Sequence, residues 1–276
     1  MKILILGGTG MIGSNLYKLL SPKYNVYISS RKKNSKNVNK CIFFDAFQFN
    51  RFKTKLKPFD TIINAIGITN KIKNEKRKNI FYVNSEFVSV LNQFCKSQNI
   101  RLIHLSTNCV FNGLARKKYK ENDKRNALDY YGASKYLAEL NNNQLTLRFS
   151  CLGFENNSNR QLFNWFLSQK KIVEGYERVF FNGITTIELS KIIDIILLKH
   201  PNLKGLINIA SDKSISKYYL LCLIKKISIK KLSKIKKNNK KYEYKVLNPA
   251  LFKSKIRYKI PSYKKMIIDL NNAFLD

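Results

Sequence analysis

The sequence has few of the residues that build metal centres and disulfide frameworks. It contains five cysteines and two histidines in 276 residues. No two cysteines form a Cys-x-x-Cys pair, and they are scattered at Cys41, Cys95, Cys109, Cys151 and Cys222. A zinc site or a disulfide scaffold needs clustered ligands or paired thiols. We therefore expect no metal site, and we expect the cysteines to be reduced.

Long apolar runs are also missing. A helix that crosses a bilayer needs about 18 or more consecutive apolar residues, and the run at residues 192–198 is short and contains Asp194. A strand pattern begins at Lys2, which leaves no length for a signal peptide. These features favour a cytoplasmic protein without membrane insertion.

Acidic residues are scarce. The chain has 17 Asp and Glu against 52 Lys and Arg, which gives a formal net charge of +35. Such an excess can indicate a polyanionic partner, or it can be a compositional bias toward lysine. The lysines are spread over the whole chain, and the densest run, residues 225–245, lacks an aromatic-interleaved pattern typical of nucleic-acid binding. We therefore favour the compositional explanation and expect no nucleic-acid partner.

Apolar runs alternate with amphipathic segments through most of the chain. The runs predict seven buried strands, with the sequences KILILGG, NVYISS, CIFFD, DTIINAIG, IRLIHLST, LTLRFSCLG and GLINIAS. Near-continuous apolar strands separated by helices indicate a parallel sheet that is covered on both faces. With right-handed crossovers, the sequence predicts an α/β fold with a doubly wound parallel Rossmann sheet.

The pattern loosens after Gly153. We expect residues 1–153 and 183–212 to form one domain around the Rossmann sheet. Residues 154–182 and 213–276 are predicted to form a small C-terminal substrate-binding lobe over the carboxyl edge of the sheet. Two helices are predicted in the lysine-rich tail, around residues 218–227 and 263–274.

A glycine-rich loop, GGTGMIG, joins the first strand to the first helix. Gly8, Gly10 and Gly13 fit the spacing G-x-G-x-x-G, while Gly7, Gly10 and Gly13 fit G-x-x-G-x-x-G. In either spacing, glycine permits a tight turn and lets the backbone approach a pyrophosphate, which the helix N-terminus attracts. The loop therefore predicts dinucleotide binding and indicates that residues 1–153 and 183–212 form an NAD(P)-binding Rossmann domain. Its predicted cofactor-binding residues are Gly7, Thr9, Gly10, Met11, Ile12 and Gly13.

The end of the second strand carries no carboxylate. An acidic residue there would bind the ribose 2′-hydroxyl of NAD, but the sequence has Ser30, Arg31 and Lys32. Arg31 and Lys32 suit a 2′-phosphate, which favours NADP(H) over NAD(H). Asp45 ends the third strand, where it can accept a hydrogen bond from the adenine amino group or cap the following turn.

Tyr131 and Lys135 are four residues apart in a predicted helix, so they lie on one face, one turn apart. A free tyrosine has a pKa near ~10, and a neighbouring ammonium would lower it. The pair therefore predicts a tuned general acid and base. Tyr130 points to another side of the helix, where it packs or borders the substrate.

Polar residues from two other elements can complete this site. The strand that ends in LSTN brings Ser106 and Thr107 to the sheet edge where ligands bind, and strand alternation turns only one of them toward the site. Asn84 lies inside a predicted helix, which is an unusual place for Asn unless its amide is used.

Together these motifs resemble the extended branch of the short-chain dehydrogenase/reductase superfamily. Within that branch, the chain is similar to the dTDP-4-dehydrorhamnose reductase family. The resemblance spans nearly the whole chain and is strongest over roughly residues 1–150. The segments that carry it are the glycine loop, NAIG, Asn84, STNCVFNG, YYGASKYLAE, LRFSCLG, NGITTIELSKII and IPSYKKMIIDL.

The resemblance implies NADPH-dependent reduction of the 4-keto group of a nucleotide-linked 4-keto-6-deoxysugar, which would supply a deoxyhexose donor for surface polysaccharide. It implies that Thr107 polarises the ketone oxygen and that Tyr131 donates the proton. Lys135 would hold the nicotinamide ribose and tune Tyr131, and Asn84 would relay protons or position Lys135. The cofactor residues expected beyond the glycine loop are Ser30, Arg31, Asp45, Ala65, Ile66, Gly67 and Lys135.

The expected substrate residues are Asn108, which follows Thr107, Arg148, which ends the sixth strand, and Trp165, the only tryptophan. Arg148 could instead form a structural ion pair, and Trp165 could pack inside the lobe. Arg160 and Arg178 could contact a pyrophosphate.

Two other functions stay open beside the reductase. A nucleotide-sugar epimerase or epimerase-reductase would carry the same motifs, and so would a non-catalytic nucleotide-binding regulatory protein of this fold. Dehydration is disfavoured, because Asn108 and Cys109 stand where the related dehydratases have an acidic pair. The expected partner is a nucleotide-sugar substrate, and a homodimer stays open.

Overall fold

The computed structural model describes residues 1–31, 40–69, 75–139, 144–154, 159, 161–228 and 233–275. The strands in these ranges are β1 (Lys2–Leu6), β2 (Asn25–Ser30), β3 (Cys41–Phe43), β4 (Thr61–Asn64), β5 (Arg101–Thr107), β6 (Leu145–Phe149), β7 (Cys151–Leu152), β8 (Val173–Phe181), β9 (Ile184–Thr185), β10 (Gly205–Ile209), β11 (Ile215–Ser216) and β12 (Ile235–Tyr244). The α-helices are α1 (Met11–Leu20), α2 (Phe49–Phe52), α3 (Arg77–Phe81), α4 (Phe87–Ser97), α5 (Tyr130–Leu137), α6 (Leu162–Leu167), α7 (Thr186–Lys199), α8 (Lys217–Ile227), α9 (Ala250–Ile256) and α10 (Tyr263–Leu275).

The central sheet has seven strands in the order β10-β6-β5-β4-β1-β2-β3. Every neighbouring pair in it is parallel. From β1, the chain first adds β2 and β3 on one side of the sheet. It then returns to the other side of β1 and adds β4, β5, β6 and β10, so the switch point lies between β1 and β4. A crevice opens at such a switch point, outside the carboxyl ends of the strands. The predicted doubly wound Rossmann sheet is confirmed, and its seven strands correspond to the seven apolar runs.

Helices cover both faces of this sheet because its strands are apolar on both sides. The four apolar residues of β1 are fully buried and alternate between two core clusters. Ile3 and Ile5 pack with residues of α1 and α7, whereas Leu4 and Leu6 pack with residues of α2 and α4. Each side chain of this size contributes about 1.5–3 kcal/mol when fully buried. The two layers therefore hold the carboxyl ends of the strands in fixed positions.

A smaller lobe is built on a three-stranded sheet with the order β11-β8-β12. Its apolar cluster joins this sheet to α6, α8 and α10 through side chains such as Phe166, Leu220 and Ile267. Strand β12 lies in the lysine-rich run and pairs in parallel with β8. The sequence did not predict β12, because IKKNNKKYEY lacks the apolar alternation of an ordinary half-buried strand.

The tail does not lie wholly in this lobe. Helix α9 packs against β10, and its Phe252 and Ile256 belong to the core of the central sheet. The predicted boundary, which gave residues 213–276 to the lobe, is therefore wrong for α9. The two helices predicted in the tail correspond to α8 and α10.

The helices are short. The longest described one, α7, has 14 residues. Across the described ranges, no helix has the length and apolar character needed to cross a bilayer.

Candidate active site

A continuous cleft runs along the carboxyl ends of β1, β2, β4 and β5. Its narrower end is lined by the glycine turn and by residues that follow β2, β3 and β4. Its wider end is lined by residues that follow β5 and by α5. Thr9, Gly10, Ala65, Ile66 and Gly67 line both ends, so the two are joined. The wider end has a volume of about 590 Å³, within the range of small-molecule sites.

The glycine turn gives its glycines separate geometric functions. Gly7 has a φ of +78°, a left-handed conformation that glycine adopts without strain. A Cβ on Gly13 would lie 2.3 Å from the Gly7 carbonyl oxygen, so a larger residue would push α1 off the turn. A Cβ on Gly10 would meet nothing nearer than 3.4 Å, and Gly10 faces the cleft. Gly8 packs against Ile28 instead. A Cβ on Gly8 would lie 2.3 Å from the Ile28 Cβ, so the glycines of both spacings serve the turn geometry.

The turn fits a dinucleotide. Gly10 is the N-cap of α1 and places no side-chain hydrogen bond on the first turn of that helix. First-turn N–H groups of a helix can bind an anion. A Cβ on Gly10 would project into the space in front of these groups, which glycine leaves open. Gly13 is not among the residues that line the cleft, so its predicted contact with the cofactor is replaced by packing of α1.

The residues after β2 lie at the narrower end of the cleft. The hydroxyl of Ser29 accepts a hydrogen bond from the Gly7 N–H at 3.1 Å, which ties the end of β2 to the glycine turn. Ser30 is buried, Arg31 is exposed, and both line the cleft. Lys32, the second cation predicted for a 2′-phosphate, lies outside the described residues.

Asp45 lines the same end of the cleft. Its carboxylate accepts a hydrogen bond from the Phe47 N–H at 3.1 Å and caps the short 3₁₀ turn Ala46–Gln48. The capping function left open by the sequence is therefore observed, and the adenine contact stays a prediction. Phe47 also lines the cleft and stacks on Tyr82 at 5.3 Å between ring centroids.

Helix α5 is fixed at its start by two contacts. Asp129 is its N-cap, and the carboxylate accepts a hydrogen bond from the Gly132 N–H at 2.7 Å. A Cβ on Gly132 would lie 2.2 Å from the carbonyl oxygen of Cys109. Only glycine therefore lets α5 approach the turn Asn108–Val110 that follows β5, and this approach brings Tyr131 beside Thr107.

The two adjacent tyrosines face different surroundings. Tyr131 is half-buried and lines the wider end of the cleft. Tyr130 is 47% exposed, and its ring packs against Phe81 and the Arg77 guanidinium. The structure thus separates them as helical spacing predicts. Catalysis by Tyr131 stays a prediction.

Thr107, rather than Ser106, faces the tyrosine. Thr107 lies beside Tyr131, where its hydroxyl lowers the pKa of the phenol, and its Oγ1 accepts a hydrogen bond from the Cys109 N–H at 3.2 Å. The hydroxyl proton of Thr107 is therefore available to the phenol oxygen. Ser106 donates its hydroxyl to Glu139 at 3.1 Å.

The pKa of Tyr131 is raised, not lowered as the spacing to Lys135 predicted. Burial is the main cause, Cys109 and Asp129 add to it, and the Thr107 hydroxyl opposes it. The prediction is wrong because the Lys135 Nζ points into β5, where it donates to the Leu105 carbonyl at 2.6 Å. A raised pKa keeps the phenol protonated at neutral pH, which is the state that a proton donor needs.

Lys135 is itself buried in the wall of the cleft, with 4% of its surface exposed. Burial lowers its pKa to about 8, and the carboxylate of Glu139 opposes this effect. The Nζ also lies 3.4 Å from Nε2 of His104. Lys135 can therefore change its charge close to neutral pH.

Asn84 lies in a π-helical turn, Tyr82–Glu86, between α3 and α4. Its amide oxygen accepts from the Ile68 N–H at 2.9 Å, and its nitrogen donates to the Ile68 carbonyl at 2.8 Å and to the Ser134 hydroxyl at 3.0 Å. Asn84 thus ties the segment after β4 to α5, one residue before Lys135. These contacts fit the positioning function that was predicted as an alternative to a proton relay. Turns of this type frequently lie at functional sites.

Arg148 does not line the cleft, so its predicted contact with substrate is wrong. Its guanidinium is fully buried and forms a two-point ion pair with Glu139, at 2.7 and 2.6 Å. Arg125 holds the same carboxylate at 2.6 Å. Arg148 is in register with Ser106 of β5, whose hydroxyl also turns to Glu139. The structural ion pair that the sequence left open is therefore the one observed.

Asn108 is buried and lines the wider end of the cleft. Its Nδ2 donates to the Lys245 carbonyl at 2.8 Å, which joins the turn after β5 to the segment after β12. Its predicted contact with substrate stays a prediction.

The lobe contributes Gln161, rather than Trp165, to the described lining of the cleft. Trp165 is half-buried against the apolar cluster of the lobe, and its predicted substrate contact stays a prediction. Arg178 is exposed and stacks on Tyr242 at 5.5 Å. Arg160 lies outside the described residues.

Sequence reasoning missed several residues that shape the site. Ser29 and Gly132 act through backbone contacts, which residue types alone do not reveal. His104 also belongs to this group, and the available signal was a polar ring inside the apolar run IRLIHLST. It is fully buried and contacts both Lys135 and Asn64.

A family model described as the RmlD substrate binding domain matches residues 1–163. No curated protein sequence matches the chain at a significant level.

Similar solved structures include reductases and an epimerase. A hypothetical dTDP-4-dehydrorhamnose reductase from Sulfolobus tokodaii has a TM-score of 0.78 at 25% identity, over 95% of this chain and 98% of that chain. The dTDP-4-dehydrorhamnose reductase from Bacillus anthracis in complex with NADP has a TM-score of 0.83 at 18% identity, over 99% of both chains. The UDP-N-acetylglucosamine 4-epimerase from Methanobrevibacter ruminantium in complex with UDP-N-acetylmuramic acid has a TM-score of 0.82 at 18% identity, over 99% and 98%. The two matches at 18% identity show a shared fold.

Proposed function

We propose that this chain, which belongs to the RmlD substrate-binding domain family, uses NADPH to reduce the 4-keto group of a nucleotide-linked 4-keto-6-deoxysugar. The reaction class is that of dTDP-4-dehydrorhamnose reductase, and its product would be a deoxyhexose donor for surface polysaccharide. The observation that carries the proposal is the meeting of Thr107, Tyr131 and Lys135 at one end of a cleft whose other end is the glycine turn.

The residues present suit a carbonyl reduction. A nicotinamide held along the cleft would supply the hydride. Tyr131 donates the proton to the ketone oxygen, because its raised pKa keeps the phenol protonated. The Thr107 hydroxyl donates to the same oxygen and stabilises the negative charge that develops there. Lys135, in the wall of the same cavity, would hold the nicotinamide ribose.

NADP(H) is the proposed cofactor. Arg31 is exposed beside Ser30 at the end of β2, where a 2′-phosphate would lie. The family relationship adds support, because the similar Bacillus anthracis structure contains NADP.

Replacing Arg31 tests this cofactor choice. A hydrogen bond to a charged group contributes about 1.5–3 kcal/mol, so Arg31→Ala should weaken NADPH binding about tenfold or more. The affinity for NADH should stay the same. Fluorescence titration of both cofactors measures the effect, with Arg51→Ala, an exposed arginine outside the cleft, as the matched control. An equal change for NADPH and NADH would contradict the assignment.

A nucleotide-sugar 4-epimerase is the second candidate, supported by the similarity to the Methanobrevibacter ruminantium enzyme. The two candidates differ in whether the cofactor is consumed. With purified protein, NADPH and a dTDP-linked 4-keto-6-deoxysugar, a reductase oxidises one NADPH for each ketone that disappears. An epimerase interconverts sugars without net oxidation of NADPH. A regulatory protein binds NADPH and turns over neither compound.

A further inference from the structure

A buried polar chain leads from the central sheet to Lys135. Asn64, the last residue of β4, and His104 of β5 are in register with each other and are both fully buried. The Nδ2 of Asn64 lies 3.3 Å from Nδ1 of His104, and Nε2 of the same ring lies 3.4 Å from the Lys135 Nζ. The Lys135 Nζ in turn donates to the Leu105 carbonyl at 2.6 Å.

The direction of this chain is set at Asn64. The Oδ1 of Asn64 accepts a hydrogen bond from the Ile66 N–H at 3.1 Å, so the amide nitrogen is the group that faces His104. An amide nitrogen only donates, and a neutral imidazole has one donor and one acceptor nitrogen. Nδ1 of His104 must therefore accept, which places the ring proton on Nε2.

The N–H at Nε2 of His104 then points at Lys135. An ammonium has three donors and no acceptor, so a charged Lys135 would set donor against donor. If the ring proton were on Nδ1 instead, Nε2 could accept from the ammonium, but the Nδ1–H would then face the amide donor of Asn64. An uncharged amine has a lone pair that can accept from Nε2, and the whole chain is then satisfied.

We propose that Asn64 and His104 are positioning residues of this site, which act through a directed hydrogen-bond chain that favours the uncharged amine of Lys135 over its ammonium. Asn64 and His104 are fully buried, and Lys135 is 4% exposed where it borders the cleft. A buried donor that faces another donor is left without an acceptor, and this unfavourable contact shifts the protonation of Lys135 toward the amine.

The electrostatics of the surrounding groups agree with the chain. Burial, followed by the charge of Lys135, lowers the pKa of His104 well below its usual range, so the ring is neutral. The other titratable groups around Lys135 are Tyr131 on its own helix, Glu139 just after the end of that helix, and Cys109 after β5. Glu139 favours the ammonium, but its carboxylate is already held by Arg125 and Arg148. The raised pKa values of Tyr131 and Cys109 keep both groups neutral.

The consequence for function rests on the proposed reductase activity, in which Lys135 holds the nicotinamide ribose. Burial lowers the pKa of Lys135 to about 8, and the hydrogen-bond chain through His104 disfavours the ammonium in the same direction. Affinity for NADPH should therefore fall as the pH rises through about 8.

Histidine NMR tests the chain without any activity assay. The sequence has two histidines, His104 and His200, so ¹⁵N-histidine labelling of the full chain gives two rings, and His200→Gln assigns them. At pH 9 the His104 ring should be neutral with its proton on Nε2, and its signals should shift as the pH falls through 8. A ring protonated on Nδ1 at pH 9, or a charged ring at pH 7, would overturn the proposal.

Asn64→Asp should reverse the direction of the hydrogen bonds from residue 64 through His104 to Lys135. The carboxylate still accepts from the Ile66 N–H, but it now accepts from Nδ1–H of His104 as well, which turns Nε2 into an acceptor for the Lys135 ammonium. The ring should switch to the Nδ1-protonated form, and the pH at which NADPH binding is lost should rise by about one unit or more.

Asn248→Asp is the matched control, because Asn248 makes the same contact to the N–H two residues on, at 2.9 Å to Ala250. It should leave both readouts unchanged. If Asn64→Asp folds and His104 keeps its proton on Nε2, the proposed hydrogen-bond chain is contradicted. Should Asn64→Asp not fold, the NMR of the unaltered protein still decides. If His104 shows the predicted tautomers but the protein reduces no ketone, the proposed function is contradicted and the hydrogen-bond chain is still supported.

Discussion

Tyr131→Phe is expected to lower the rate of ketone reduction about 10²–10⁴-fold. The substitution removes the proton donor and keeps the ring that lines the cleft. The hydroxyl that is removed neighbours Thr107, so the affinity for NADPH should stay within about twofold, as for a change of less than 0.5 kcal/mol. Steady-state kcat and a separate NADPH titration measure the two quantities.

The neighbouring tyrosine provides the control for this experiment. Tyr130 is 47% exposed and packs through its ring against Phe81 and Arg77. Tyr130→Phe keeps that ring and should leave kcat unchanged. The assignment of Tyr131 fails if Tyr131→Phe turns over normally, or if Tyr130→Phe is the slower of the two variants.

Glu139→Gln is expected to destabilise the fold by about 3–5 kcal/mol, the usual cost of breaking a buried ion pair from one side. The carboxylate is 1% exposed and holds Arg148, which is fully buried, and Arg125. Without the negative charge, the Arg148 guanidinium is left buried beside an amide that presents a donor. Equilibrium denaturation of the variant and the unaltered chain measures the free energy of unfolding.

A surface ion pair gives the matched comparison. Asp212 pairs with Lys253 at 3.0 Å, but both side chains are more than half exposed, so Asp212→Asn should cost about 0–1 kcal/mol. Replacing both buried partners, in Glu139→Leu with Arg148→Met, should recover most of the loss, because paired apolar residues carry no buried charge. Equal costs for Glu139→Gln and Asp212→Asn would contradict the structural function of the pair.

The central sheet could be predicted because burial on both faces requires apolar strands. Each of the seven apolar runs became a strand of that sheet. The cleft could be predicted for a related reason, since parallel strands bring GGTGMIG and LSTN to the same edge. The assignment of Tyr131 rather than Tyr130 followed from helical spacing alone.

The predictions that were wrong or missing depend on contacts that cannot be inferred from residue spacing and residue type. β12 is a strand because it pairs with β8, although its lysines give no apolar pattern. Arg148 was expected to contact substrate because it lies near the end of a strand beside the cleft, but it forms a buried ion pair with Glu139 instead. Lys135 was expected to act on Tyr131, yet the carbonyl of Leu105 and the ring of His104 hold its Nζ. Each outcome depends on a long-range partner that becomes visible only in the folded chain.

Hydride transfer from the cofactor to the sugar is the central claim, and isotope labelling tests it most directly. The protein would be incubated with NADPH deuterated at C4 of the nicotinamide and with a dTDP-linked 4-keto-6-deoxysugar, and the product would be analysed by mass spectrometry. We predict one deuterium in each reduced sugar, at its C4 position, when the label is on the transferred face. Sugar interconversion without deuterium, or unchanged ketone with label on either face, would contradict the proposed reduction.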